Sequence, residues 1–240
     1  MTNYLINLAP DTARLAFQRD QFAKFGLSFE RVEACRDDPA ERDRFRWWCA
    51  VLRPAVPGEI GCALSHRKAY RELVRSGAVC AAVFEDDVGF SPVLLQALAL
   101  AERQCREDPL SVVLLGDHRK TKGGEPLADE GTVPSLIGTD WDFCSEAYVI
   151  GCAAAATLLR KRRRISTPAD AWGYFRGKGF IHLYRVTPPV CRQRLDRFGT
   201  TIGERYVVDA RPPVERIWWK LRRAIGVLVD GILDGGRFGW

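Results

Sequence analysis

The sequence predicts an α/β fold, a Rossmann-like sandwich with a mostly parallel central sheet. Short apolar runs alternate with longer amphipathic segments along most of the chain. The opening reads strand, helix, strand, and such a crossover makes a parallel pair. The run Val79 to Phe84 is apolar or small throughout, as strands buried on both faces are, and it ends abruptly on Glu85-Asp86-Asp87.

Tyr4 to Leu8 is the first strand. Pro10-Asp11-Thr12 starts a helix that runs to about Phe25, with Gly26 as its stop. Ser28 to Ala34 is the second strand. Arg36 to Pro57, polar and aromatic, reads as an excursion with short helices. A helix from Pro57 to Arg75 carries Ile60, Ala63, Leu64, Leu73 and Val74 at helical spacing and ends at Ser76-Gly77. The acid-ended strand follows. Ser91-Pro92 opens a helix to about Cys105, because proline suits a first turn, and Ser111 to Gly116 is another buried strand. Asp117 to Pro134 is long, polar and glycine-containing, the composition of a lid. Ala147 to Ile150 is a strand, Cys152 to Arg164 a helix and Ile181 to Val186 a late strand.

The chain has 240 residues, 47% of them hydrophobic and 28% charged, which fits one large domain with a small appendage. Residues 1–210 read as a catalytic domain and 211–240 as a basic amphipathic segment. There is no secretory signal and no apolar stretch long enough to span a membrane. This predicts a cytoplasmic protein with reduced thiols. The eight cysteines, at 35, 49, 62, 80, 105, 144, 152 and 191, include no C-x-x-C pair, which argues against a zinc site. Cys62, Cys80 and Cys152 lie in apolar runs, where cysteine is a small hydrophobe. The net charge of +6 favours anionic partners. Nucleic-acid motifs are absent. In the last segment Trp218, Leu221, Ile225, Leu228 and Ile232 recur at helical spacing beside Lys220, Arg222 and Arg223. Such a helix lies on an anionic membrane surface or packs against the domain.

Three adjacent carboxylates repel one another, and a cation relieves them. Carboxylate oxygens suit Mg²⁺ or Mn²⁺, which are held by one or two carboxylates plus substrate phosphates. Ligands of open α/β sheets bind beyond the carboxyl ends of strands. The acids therefore point to a metal-diphosphate site, with a solvated acidic turn as the alternative. Strand alternation lets Glu85 and Asp87 converge on one ion while Asp86 turns away or takes a ribose hydroxyl. Asn7, Leu8 and Arg14, at the end of the first strand and in the first helix, fall at the same nucleotide crevice, with a surface helix position as the alternative for Arg14.

Pro57-Gly58-Glu59-Ile60-Gly61-Cys62-Ala63-Leu64-Ser65-His66, followed by Phe84-Glu85-Asp86-Asp87-Val88, resembles glycosyltransferase family 25, the lipooligosaccharide and lipopolysaccharide biosynthesis glycosyltransferases. Leu5-Ile6-Asn7-Leu8 with Arg14, the Ala34 to Asp37 region, Ala147 to Ile150 and Pro168-Ala169-Asp170 match further blocks, so the likeness runs over roughly residues 3 to 195. It implies a GT-A-type fold, a UDP-sugar donor, Mn²⁺ or Mg²⁺ as cofactor, inversion at the anomeric carbon, and a glycan or lipid-linked glycan acceptor. Cys144-Ser145-Glu146 stand where the family often has Gly-Thr, a departure that bears on acceptor identity.

His66 contacts diphosphate or metal, or is a helix-face histidine bonded to backbone or to an acid; both readings stay open. Asp170, beside Trp172, Tyr174 and Phe175, is the candidate base for an acceptor hydroxyl or a helix N-cap. Glu146 is the rival base. Two other classes compete: a nucleotidyl or phosphoryl enzyme, which needs further acids than the scattered Asp117, Asp140 and Asp142, and a non-catalytic basic membrane-binding protein.

Overall fold

A computed structural model describes residues 1–36, 57–116, 126–140, 142, 145–161 and 167–199. In chain order the elements are β1 (Thr2–Asn7), α1 (Thr12–Lys24), β2 (Glu30–Glu33), α2 (Pro57–Ser76), β3 (Cys80–Glu85), β4 (Val88–Phe90), α3 (Leu94–Glu107), β5 (Ser111–Leu114), β6 (Ser135–Gly138), β7 (Ala147–Gly151), α4 (Cys152–Lys161), α5 (Trp172–Gly177), β8 (His182–Thr187), β9 (Cys191–Gln193) and α6 (Leu195–Phe198).

Seven strands form one sheet in the order β2-β1-β3-β7-β5-β8-β6, and β4 pairs with β9 in a small second sheet. β1 runs parallel to β2 and β3, and β5 parallel to β8. β7 runs antiparallel to both its neighbours, β3 and β5, and edge strand β6 runs antiparallel to β8. Five of the seven strands thus share one direction, and the expectation of a mostly parallel α/β sheet holds. The apolar run of β7, buried at every position, does not set its direction, which depends on how the chain returns.

Alternation divides the strand residues between two cores. Leu5, Ala82, Phe84, Val113 and Val149 pack with Phe22 of α1 and with Leu94, Ala97 and Ala101 of α3. Tyr4, Ile6, Ala81, Val83, Tyr148 and Ile150 pack on the opposite face with Tyr70 and Leu73 of α2, Leu158 of α4 and Trp172 of α5. Helices cover both faces, as a sheet with apolar strands requires. Since α1 lies on one face and α2 on the other, the connections from β1 reverse between β1 and β3. That reversal is the switch point where open α/β sheets leave a crevice.

Of the segment expected to be a lid, 117–125 lies outside the described residues. Its later part is tied down at Ala128, whose amide donates to Pro189 O (3.0 Å) and whose carbonyl accepts from Ser91 Oγ. Residues 37–56 and 200–240, with the C-terminal segment, also lie outside the described residues. Among those described, no helix is long and apolar enough to cross a membrane.

The sequence around α2 has a packing explanation. Ser65 Oγ accepts from the Cys35 amide (2.8 Å) and donates to Gly61 O (2.6 Å). A Cβ on Gly61 would overlap the carbonyl oxygens of Cys35 and Arg36, so the chain after β2 lies directly against the helix there. Gly61→Ala in an open helix would stabilise by about 1 kcal/mol. Here the overlap reverses the sign, and we expect a loss of about 1–3 kcal/mol, read as a lower urea midpoint at unchanged slope. A raised midpoint would refute this close approach.

Candidate active site

Strand parity decides where the first acid points. Glu85 shares the parity of Ala81 and Val83, so its side chain enters the α2 face. There Oε1 accepts from Ser145 Oγ at 2.7 Å and lies 3.3 Å from His66 Nε2 and 4.0 Å from Cys62 Sγ. Oε2 accepts from Gln193 Nε2 at 3.3 Å. Cys62 and His66 are four apart on α2 and present the same helix face. His66 Nδ1 is 2.7 Å from Tyr148 Oη, which donates to Tyr70 Oη at 3.1 Å. Burial pushes the Tyr148 hydroxyl well above its ordinary range, so it keeps its proton.

β3 ends at Glu85, and Asp86 and Asp87 belong to the turn that follows. Alternation stops with the strand. Asp86 turns away from Glu85 to the α1 side, and Asp87 joins it there instead of converging with Glu85. Arg14 Nη1 donates to Asp86 Oδ1 (3.0 Å) and Asp87 Oδ2 (3.2 Å), and Asn7 Nδ2 donates to Asp86 Oδ2 (2.7 Å). Asn7 is itself oriented by Arg31 Nε, 2.9 Å from its Oδ1. Leu8 contributes backbone, its carbonyl accepting from the Asp11 amide at 2.9 Å in the β1–α1 turn. Arg14 Nη2 reaches the carbonyls of Phe198 (3.1 Å) and Gly199 (3.3 Å), and its guanidinium lies over the Phe198 ring. The Arg194 amide donates to Asp87 O at 2.7 Å. The segment after β9 therefore straps the acid turn to α1.

Asp87 Oδ1 is buried and makes no hydrogen bond, which leaves it as an open acceptor. Burial, then the nearby Glu85 charge, push the Asp87 carboxyl from its ordinary 3.8 up to about 7, while Arg14 pulls it down. Asp86 is also raised by burial, with Asn7 and Arg14 opposing. An open oxygen on a carboxylate that keeps a proton near neutrality fits a hard divalent cation, which would replace that proton.

The two candidate bases lie in different surroundings. Glu146 is buried at the entrance to β7, its carboxylate so close to Gly116 that a Cβ there would overlap it, and its carbonyl accepts from the Glu85 amide at 2.8 Å. Asp170 is half-buried in the turn before α5. The cap residue of α5 is Ala171, so Asp170 is not its N-cap. Its neighbour Ala169 packs on Ile60 and Ala63, at the start of α2. The scattered acids form no second set: Asp140 pairs with Arg176, Asp142 lies 4.0 Å from Arg185, and Asp117 lies outside the described residues.

Cys62, Ser145, Gln193 and the Phe198–Gly199 carbonyls are site residues that the sequence did not single out. For Cys62 a signal existed: its spacing of four from His66 on a helix. The Arg14 contacts to residues 198 and 199 span more than 180 positions and had none.

The sequence matches the family profile described as Glycosyltransferase family 25 (LPS biosynthesis protein) over residues 1–122, which include α2 and the acid turn. The chain belongs to glycosyltransferase family 25. Probable inactive glycosyltransferase 25 family member 3 of Bos taurus is 33% identical over 109 residues, 45% of this chain and 18% of that protein. Procollagen galactosyltransferase 1 of Danio rerio is 31% identical over 109 residues, with the same shares. The chain thus matches less than a fifth of the length of these curated relatives. A crystal structure of A197 from STIV aligns with 77% of this chain and 81% of its own, at 12% identity and a TM-score of 0.43.

The Asp87 environment sets a sign for pH dependence in this family 25 chain. A carboxyl whose folded value is raised gives stability that is complete below its unfolded value and lost as pH rises through the folded one. For Asp87 that window runs from 3.8 to about 7. In Asp87→Asn this contribution is absent, so the variant should gain thermal stability relative to the parent as pH rises from about 4 to about 7, and the difference should level off above that. Mn²⁺ added at the upper pH should raise the melting temperature of the parent and leave the variant unchanged. Parallel pH slopes and equal Mn²⁺ responses would contradict the placement of Asp87.

Proposed function

We propose that the chain transfers a hexosyl group, galactose-like, from a UDP-sugar to a hydroxyl of a lipooligosaccharide or another cell-surface glycan, with inversion. The single observation that carries this is the acid turn at the β1/β3 switch point, in a chain of this family. The galactose preference follows the name of the Danio rerio relative. The glycan class follows the description of the family. A relative named probable inactive is 33% identical over 109 residues, so the proposed activity rests on this chain's own residues.

Asn7 and Arg14 hold Asp86 and Asp87 in place and line the crevice for the nucleotide. A bound Mn²⁺ or Mg²⁺, held by Asp87 on the α1 side of the acid turn, would supply Lewis-acid stabilisation of the departing diphosphate. Arg14 supplies a fixed positive charge next to the same position, where it offsets charge without reorganising. For the acceptor, the base must reach a hydroxyl that enters from solvent. Half-buried Asp170 meets that condition, and Glu146, buried against Gly116, does not. We therefore assign the proton to Asp170, with Trp172 and Phe175 fixing the backbone behind it from the core. A phosphoryl or nucleotidyl enzyme finds no second acid set among the described residues. Residues 211–240, by their sequence pattern, would hold the enzyme at the cytoplasmic face of a membrane that carries lipid-linked acceptors.

The test is UDP release and product mass with a panel of UDP-hexoses, Mn²⁺ and truncated lipooligosaccharide. UDP-galactose should be turned over, and Asp87→Ala should lower turnover by on the order of 100-fold. Asp170→Asn should lower turnover and leave UDP affinity unchanged. Turnover by Asp87→Ala close to that of the parent would overturn the proposal.

A further inference from the structure

The cluster on the other side of Glu85 is not explained by diphosphate chemistry. Cys62 Sγ, His66 Nε2 and a Glu85 carboxylate oxygen lie within 4.8 Å of one another. The measured pairs are 3.3 Å from Nε2 to Oε1 and 4.0 Å from Sγ to Oε1. Around a tetrahedral zinc ion with ordinary bond lengths, nitrogen and oxygen ligands stand about 3.3 Å apart and sulfur and oxygen about 3.5 Å. The nitrogen–oxygen pair already has that spacing, and the sulfur lies about half an ångström beyond it.

The hydrogen-bond chain behind His66 points the same way. Tyr148 donates to Tyr70, so toward His66 it accepts. That puts a proton on Nδ1, 2.7 Å from the hydroxyl, and leaves Nε2, 3.3 Å from Glu85 Oε1, either to share a second proton with the carboxylate or to face it across a metal ion. A lone pair facing a carboxylate oxygen is repulsive unless a cation stands between them. A metal-bound histidine shows this arrangement, with its far nitrogen donating to an oxygen that holds the ring. The thiol sits in reach of the same point, and a thiolate selects zinc-class ions over Mn²⁺ and Mg²⁺.

We propose that Cys62, His66 and Glu85 form a site for a zinc-class divalent ion, distinct from the hard-cation position at Asp87. The ion ties α2 to the end of β3. Ser145 Oγ, 2.7 Å from Glu85 Oε1 and 3.9 Å from Cys62 Sγ, stands at its edge. The inference does not depend on sugar transfer.

The full chain, expressed with zinc and dialysed, should retain about one zinc per chain, and zinc-edge X-ray absorption should show one sulfur at about 2.3 Å with nitrogen or oxygen completing the shell. Exchange into Co²⁺ should give a near-ultraviolet thiolate charge-transfer band with intense visible bands. Cys62→Ser and His66→Ala should lose the near-ultraviolet band, while Cys35→Ser and Asp87→Asn keep it. No retained zinc, a sulfur-free or multi-sulfur shell, or a band that survives Cys62→Ser would overturn the site and leave a proton between His66 and Glu85. The absorption spectrum of the unmodified chain decides the matter even if a variant fails to fold. A band without hexosyl transfer would sink the proposed activity and leave this site, and transfer without the band would do the reverse.

Discussion

Glu85, Asp86 and Asp87 leave a strand that is buried on both faces, and water reaches little of them. Adjacent carboxylates in such a place cost stability unless positive charge and hydrogen-bond donors surround them. Much of the surrounding structure supplies these. α1 brings Arg14 and β1 brings Asn7 to the two aspartates, while α2, the entrance to β7 and β9 bring His66, Ser145 and Gln193 to the glutamate. Parity sends Glu85 to one side of the sheet and the turn sends its neighbours to the other. The acids therefore organise two environments that meet at one strand end.

Arg14 connects this centre to the far end of the described chain. One guanidinium satisfies two carboxylates and two carbonyls, with the Phe198 ring beneath it. A planar cation with donors in a fixed fork suits that task, and a lysine would not. It pulls the Asp87 carboxyl down against burial and the Glu85 charge, which still hold it at about 7, and Asp87 Oδ1 stays without a hydrogen bond. The proposed divalent cation would take that oxygen in place of a proton.

Much of this was legible in the residues. The apolar run before the acids fixed β3, and the β-α-β opening fixed the crevice that contains Asn7 and Arg14. What escaped has physical reasons. β4, β6 and β9 are too short, at three or four residues, to show a period. Strand direction does not enter the period, so antiparallel β7 was not distinguished from its neighbours. Glu85 and Asp87 were expected to converge by alternation, but alternation describes strands and the strand stops at Glu85, two residues before Asp87. Cys62 passed as a small hydrophobe because its run is apolar, although its spacing from His66 placed both on one helix face. Contacts between residues 14 and 198 depend on the complete fold, and nothing local announces them.

Membership of family 25 and the position of the acids at the switch point support one central proposal: the Asp86-Asp87 turn binds the diphosphate of a nucleotide through a divalent cation. Calorimetric titration of UDP into the full chain tests it most directly. With Mn²⁺ present UDP should bind, and with chelator, or in Asp87→Asn, the heat of binding should vanish. Equal UDP affinity with Mn²⁺ and with chelator would contradict the claim.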